Sequence, residues 1–78
     1  MDVNEELAGL NAAIDETPGN AGLHITRAKY YYKNGDFGSA LNDFLRAAEI
    51  DSDNAEAREY IKMINEILEF RHKDLLNP

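Results

Sequence analysis

The sequence predicts an all-α protein, and three observations carry the prediction. Apolar residues recur every three or four positions in four separate segments, which is the period of an amphipathic helix. Polar or glycine-containing breaks separate the segments, at 17–20, 34–36 and 51–54. The Asn34-Gly35 pair after three tyrosines could also form a β-hairpin turn. However, Gly38 to Leu41 do not alternate between apolar and polar residues as a partner strand would, so the helical interpretation is preferred.

The first predicted helix runs from Val3 to Glu16, with Leu7, Leu10 and Ile14 on one stripe, and it ends before Pro18-Gly19. Glu5 and Glu6 lie in its first turn, where acidic side chains favour the positive end of the helix dipole.

The second and third predicted helices form a pair around a short turn. Asn20 is the predicted N-cap of a helix from Ala21 to Asn34, and Gly35 supplies the left-handed residue that ends it. Asp36 is the predicted cap of the next helix, from Phe37 to Ile50.

The fourth predicted helix runs from Ala55 to Lys73 and begins at a capping box formed by Asp53 and Glu56. Its apolar stripe consists of residues at helical spacing: Ala57, Tyr60, Ile61, Ile64, Ile67 and Leu68.

Composition and charge exclude several classes of function. The 78 residues carry 8 Lys and Arg against 15 Asp and Glu, and the net charge is −7. Five of the acidic groups and no basic group lie in the first twenty residues. An acidic chain without a basic stripe is not expected to bind nucleic acid or an anionic membrane surface. The absence of cysteine and of a signal-like N-terminus predicts a cytoplasmic location.

Two stretches of the sequence repeat at a shift of 34 positions. Leu7, Leu10, Ala13, Pro18, Asn20 and Ala21 correspond to Leu41, Phe44, Ala47, Ser52, Asn54 and Ala55. A fixed period of this length is typical of helical repeat arrays. The more complete of the two copies of the repeat contains an aromatic residue, a turn and a small–aromatic–small series: Tyr31, Gly35-Asp36-Phe37, Ala40, Phe44 and Ala47.

This pattern resembles the tetratricopeptide repeat. The resemblance implies a single domain, 1–78, built as an α-solenoid fragment of antiparallel helix pairs. It comprises one helix of a partial repeat (3–16), a complete repeat (21–54) and a capping helix (55–73). It also implies a non-enzymatic scaffold or adaptor that binds a protein or a peptide on its concave face.

In this family the first helix of each pair lines the concave face. Transferred to this sequence, the resemblance implies a groove of eight residues on the second and fourth helices: Ile25, Lys29, Tyr32, Lys33, Glu59, Met63, Glu66 and Phe70. Three occupants of this face remain open. They are the chain's own tail at 75–78, a different protein, and a second copy of the chain that forms a homodimer and completes the repeat stack.

Catalysis has little support in the sequence. His24 and His72 are far apart, and neither has a nucleophile or paired carboxylates at a characteristic spacing. His24 is expected to be a core or boundary residue instead. The Asp51-Ser52-Asp53-Asn54 run lacks the glycine and the closing glutamate of a calcium loop. The sequence therefore predicts no enzyme activity, metal site or cofactor.

Overall fold

A computed structural model describes the backbone of residues 3–76 and the side chains of residues 5–71. This part of the chain contains four helices and no strand: α1 (Val3–Glu16), α2 (Ala21–Lys33), α3 (Phe37–Ile50) and α4 (Ala55–Leu76). The predicted all-α fold is confirmed. None of these helices is both long enough and apolar enough to cross a membrane.

Two helix ends differ from the prediction. The second helix ends at Lys33, one residue early, because Asn34 has left helical geometry and acts as the C-cap. Its backbone N–H donates to the carbonyl oxygens of Tyr30 and Tyr31. The fourth helix continues to Leu76 rather than ending at Lys73, because no glycine or proline interrupts the sequence before Pro78.

The predicted caps of α2 and α3 are confirmed. The Asn20 side chain accepts a hydrogen bond from the Leu23 N–H at 3.4 Å, and Asp36 accepts one from the Ser39 N–H at 3.2 Å. Gly35 has a φ of 79°, the left-handed conformation that glycine adopts without steric cost. This turn reverses the chain and places α2 and α3 side by side.

The predicted cap of α4 is wrong. The residue that caps the helix is Asn54, whose Oδ1 accepts a hydrogen bond from the Ala57 N–H at 2.9 Å. Asp53 lies one position too early and belongs to the turn, where its backbone N–H donates to Asp51 Oδ1 at 3.3 Å. Asparagine and aspartate have similar capping preferences, so the sequence pattern did not distinguish the two positions.

The core lies on α3, which packs against α2 on one side and α4 on the other, while α1 packs against α2. The fully buried residues of the core come from α2, α3 and α4. Most are small residues that allow close approach of helix backbones (Ala28, Ala40, Ala47 and Ala57), and the large ones are Phe44 and Ile64. The Phe44 ring stacks on Tyr60, with ring centroids 4.6 Å apart and planes 8° from parallel.

A polar network joins three helices beside this core. Arg27 of α2 donates to both carboxylate oxygens of Asp43 on α3, each at 2.7 Å, and to Asn11 Oδ1 on α1 at 2.8 Å. The hydrogen bond to the Asp43 carboxylate raises the pKa of the Arg27 guanidinium. The two carboxylate bonds have the forked geometry that fixes orientation as well as adding energy.

His24 is buried, with 5% of its surface exposed, so the prediction of a core position is confirmed. Its Nε2 donates to the Pro18 carbonyl oxygen at 2.9 Å. Its Nδ1 lies 3.6 Å from Asp43 Oδ1 and makes no hydrogen bond. The ring therefore ties the loop after α1 to α2, beside the polar network, and it is buried away from the surface.

Candidate functional site

An open concavity of about 530 Å³ lies between the end of α2 and the second half of α4. We call it the α2–α4 groove. Its lining is mainly apolar or aromatic, with one acidic and one basic residue: Tyr32, Met63, Glu66, Ile67, Phe70 and Arg71. Four of the eight residues predicted for the concave face are therefore together in one surface depression, and they come from two helices far apart in sequence.

Edge-to-face aromatic contacts fix the α2 side of the groove. The Tyr32 ring centroid lies 5.3 Å from that of Phe37 and 5.1 Å from that of Tyr60, with the ring planes nearly perpendicular. The Arg71 guanidinium lies 5.0 Å from the Phe37 ring centroid, in the range of a cation–π contact. These contacts hold Tyr32 and Arg71 in place before any ligand arrives.

Phe70 is the most exposed large hydrophobic side chain identified among the described residues, with 69% of its surface accessible. The other one, Leu45 on α3, is 45% exposed and does not line the groove. Met63, about two turns before Phe70, is only half-buried. Glu66 has no hydrogen bond or ion pair within residues 5–71, so an uncommitted carboxylate lies beside these apolar side chains.

Lys29 has a structural partner. Its ammonium forms an ion pair with Glu56 at the start of α4 and lies 6.0 Å from the Tyr60 ring centroid. The hydrogen bond to the Glu56 carboxylate raises the pKa of the Lys29 ammonium above its ordinary value. Lys29 thus joins α2 to α4. Sequence reasoning did not anticipate Glu56 in this role, because the pairing depends on how the two helices align.

Lys33 lies one turn after Lys29 on the same side of α2, outside the α2–α4 groove. It lines a second concavity, of about 610 Å³, together with Lys29, Tyr30 and Glu6, the last from α1. This concavity is predominantly polar, with Thr26 and Asn34 as its other members. The predicted set is therefore divided between two depressions, with both lysines in the second one. Lys29 in addition pairs with Glu56 on α4.

Two predicted residues lie in neither concavity. Ile25 is 7% exposed and belongs to the core, so its side chain is not available as a contact. Glu59 is exposed on α4, ahead of the residues that line the α2–α4 groove. The predicted binding face also omitted Ile67 and Arg71, which line the α2–α4 groove. The helical period would have indicated both, because Ile67 lies one turn after Met63 and Arg71 lies one turn after Ile67.

Within residues 5–71, no group of three or more His, Asp or Glu side chains is arranged to hold a metal ion. The side chain of His72 and the tail at 75–78, which was one expected cover for Met63 and Phe70, lie outside the described residues.

No protein-family model matches this chain, and no curated protein matches it significantly. The geometry of the helices and of the two concavities is therefore the basis for a functional proposal.

Proposed function

We propose that this chain is a non-enzymatic binding module that docks a segment of another protein in the α2–α4 groove. The observation that carries the proposal is Phe70, a large aromatic side chain with 69% of its surface exposed at the lip of a largely apolar depression. Exposed apolar side chains are common one at a time, but an aromatic cluster around a concavity is typical of interaction sites.

The apolar side chains supply a modest driving force. An aromatic side chain buries about 150–250 Å² when fully covered, so covering the exposed part of Phe70 removes roughly 140 Å² from water, or about 3.5 kcal/mol. Met63 and Tyr32 are already partly buried and add roughly 1–2 kcal/mol together. These terms count only this chain's side of the contact, and the partner's apolar surface adds a similar amount. Because association costs at least about 4 kcal/mol, we expect weak binding, with a dissociation constant of about micromolar or higher.

The proposal extends to a tetratricopeptide-like scaffold that acts in the cytoplasm. It is supported by the α2–α3 pair, in which Gly35 makes the turn and Ala40, Phe44 and Ala47 are fully buried between helices. Small residues at the crossing points and an aromatic between them are what close stacking of helix pairs requires. In such a scaffold α2 and α4 present the ligand-binding face.

Selection from a random peptide library against the immobilised protein tests the proposal. Selected peptides should bind wild type and lose at least about tenfold in affinity to Phe70→Ser. Leu45→Ser is the matched control, because it removes an exposed apolar side chain outside the groove. Both variants lose only the buried part of one side chain, so each should remain folded and be destabilised by no more than about 1–2 kcal/mol. Peptides that bind Phe70→Ser as well as wild type, or that depend on Leu45, would contradict the proposal.

A second copy of the chain is the alternative occupant, favoured by the same exposed Phe70 and implied by a repeat stack that two chains would complete. Sedimentation velocity over a range of concentrations distinguishes the two. The binding-module proposal expects a monomer, whereas self-association predicts a dimer that Phe70→Glu dissociates.

A further inference from the structure

We infer that the segment bound in the α2–α4 groove is an amphipathic helix with basic and apolar side chains alternating along its docking face. The inference rests on the proposed function and specifies the partner's chemistry. It is carried by the order of side chains along α4, where acidic and apolar residues alternate toward the groove: Glu59, Met63, Glu66 and Phe70.

The four positions share one side of α4. Their separations of four, three and four residues place them within an arc of about 60° at 100° per residue. Three of the four, Met63, Glu66 and Phe70, line the α2–α4 groove. The spacing is also that of the contact seam between two helices packed side by side.

Two carboxylates on this arc have no cation partner in the part of the chain whose side chains the structure describes. Glu59 and Glu66 form no ion pair within residues 5–71, and the Lys62 ammonium, one turn from each, is not within pairing distance of either. Glu56 lies about 20° beyond this arc and pairs with Lys29, so the chain itself shows that a lysine from a neighbouring helix can reach this side of α4.

The Arg71 guanidinium keeps its charge but lies on a different side of α4. It is over the Phe37 ring, toward the α3 side of the depression, and at 100° per residue it is at least 100° around the helix from Glu59, Glu66 and Phe70. The charged side chains on the arc that contains Phe70 are therefore acidic, on a chain whose net charge is −7. A partner with acidic side chains at these positions would meet like charge, whereas Lys or Arg would meet unpaired carboxylates.

The period of the row favours a helical partner over an extended one. Glu59 and Glu66 are seven residues apart, about 10.5 Å along α4, and so are Met63 and Phe70. A helix lying alongside repeats its own contacts at the same distance. An extended chain advances about 3.3 Å per residue with alternate side chains on opposite faces, so its repeat of about 6.6 Å does not match.

Two synthetic peptides test the inference. Both have about three heptads with leucine at the same seam positions; one has lysine next to the seam and the other has glutamate. Binding is measured by fluorescence anisotropy at low and at moderate salt. We expect the lysine peptide to bind at least about tenfold tighter than the glutamate peptide, with a difference that shrinks as salt screens the charges.

Charge-neutralising variants locate the effect. Glu59→Gln/Glu66→Gln should weaken the lysine peptide about three- to tenfold, as expected for two exposed ion pairs. The matched control is Glu16→Gln/Asp53→Asn, which changes the net charge equally at exposed sites outside the groove and should leave binding within about twofold. Equal weakening by both pairs would show general attraction to an acidic chain and would overturn the inference.

The remaining outcomes separate this inference from the proposed function. A glutamate peptide that binds as tightly as the lysine peptide, and is lost in Phe70→Ser, would overturn the partner chemistry and leave the groove as a binding site. A lysine peptide that fails to bind overturns the inference, while the library selection judges the groove independently. Binding of the lysine peptide to Phe70→Ser at wild-type affinity would contradict both.

Discussion

Asp43→Asn is the substitution that most directly probes how the helices are held together. The Asp43 carboxylate is buried, with 5% of the residue exposed, and accepts two hydrogen bonds of 2.7 Å from Arg27. An asparagine of the same shape keeps one acceptor oxygen but directs an N–H₂ group at the guanidinium. One charge-assisted hydrogen bond is then lost, and the arginine loses its counter-charge.

The size of the effect follows from these contacts. A hydrogen bond to a charged group contributes about 1.5–3 kcal/mol, and breaking a buried ion pair costs about 3–5 kcal/mol. Because the Arg27 side chain is 22% exposed, water recovers part of this loss, and we expect a decrease of about 2–4 kcal/mol in the free energy of unfolding. A chain of this length has about 4–12 kcal/mol in total, so the midpoint of thermal unfolding should fall by roughly 10–25 °C.

Urea denaturation followed by circular dichroism at 222 nm measures this change. Asp53→Asn, the same substitution at an exposed turn position, should stay within about 0.5 kcal/mol of wild type. A double-mutant cycle with Arg27→Gln should give a coupling energy of at least about 1 kcal/mol. An Asp43→Asn loss below about 0.5 kcal/mol, or additive single effects, would refute the reasoning.

Three further changes test other parts of the fold. Phe44→Leu removes the stacked contact with Tyr60 from a fully buried site and should lower the free energy of unfolding by about 1–2 kcal/mol in urea titration. Gly35→Ala should lower it by about 1 kcal/mol, because the added methyl has open space around it but the φ of 79° strains any L-residue. Glu56→Gln should lower it by about 0.2–1 kcal/mol at pH 8, a difference that shrinks at high pH.

The sign of the pH effect follows from the raised pKa of Lys29 in the folded state. The contribution of the Lys29–Glu56 pair is complete below the ordinary lysine value of about 10.4 and is lost as pH rises through the higher folded value. The stability difference between wild type and Glu56→Gln should therefore shrink above about pH 11, to the part that comes from Glu56 at the positive end of the α4 dipole. A difference that is undiminished or larger there would contradict the pairing. A Gly35→Ala variant more stable than wild type would contradict the strained turn.

The helices and most of their boundaries could be predicted because local signals fixed them. Asn20 and Asp36 are residues of capping type directly before their helices, and Gly35 is the residue best suited to a left-handed turn. The start of α4 at Ala55 was predicted correctly, but its cap was placed one residue early because Asp53 and Asn54 are neighbouring residues with equal capping capacity. Local sequence did not determine which side chain would face the Ala57 N–H.

The polar network and the division of the site depended on tertiary alignment. Arg27 and Asp43 each place a charge on an otherwise apolar helix face, and Asp43 lies between the buried Ala40 and Ala47. A charge at such a position could have been used to predict a buried ion pair from the sequence. Their register with Asn11 was not readable, because it is set by how three helices dock. The same docking buries Ile25 and directs Lys33 to the polar concavity.

The central claim is that the α2–α4 groove receives another protein, and amide NMR spectra of the isotopically labelled chain test it most directly. We expect the spectrum of the protein alone to be unchanged on dilution. Added lysine–leucine peptide should shift resonances at Tyr32, Met63, Glu66 and Phe70, and leave those around Leu45 in place. Shifts of the groove resonances on dilution alone would show that a second copy occupies the groove, and peptide-induced shifts centred elsewhere would contradict the account.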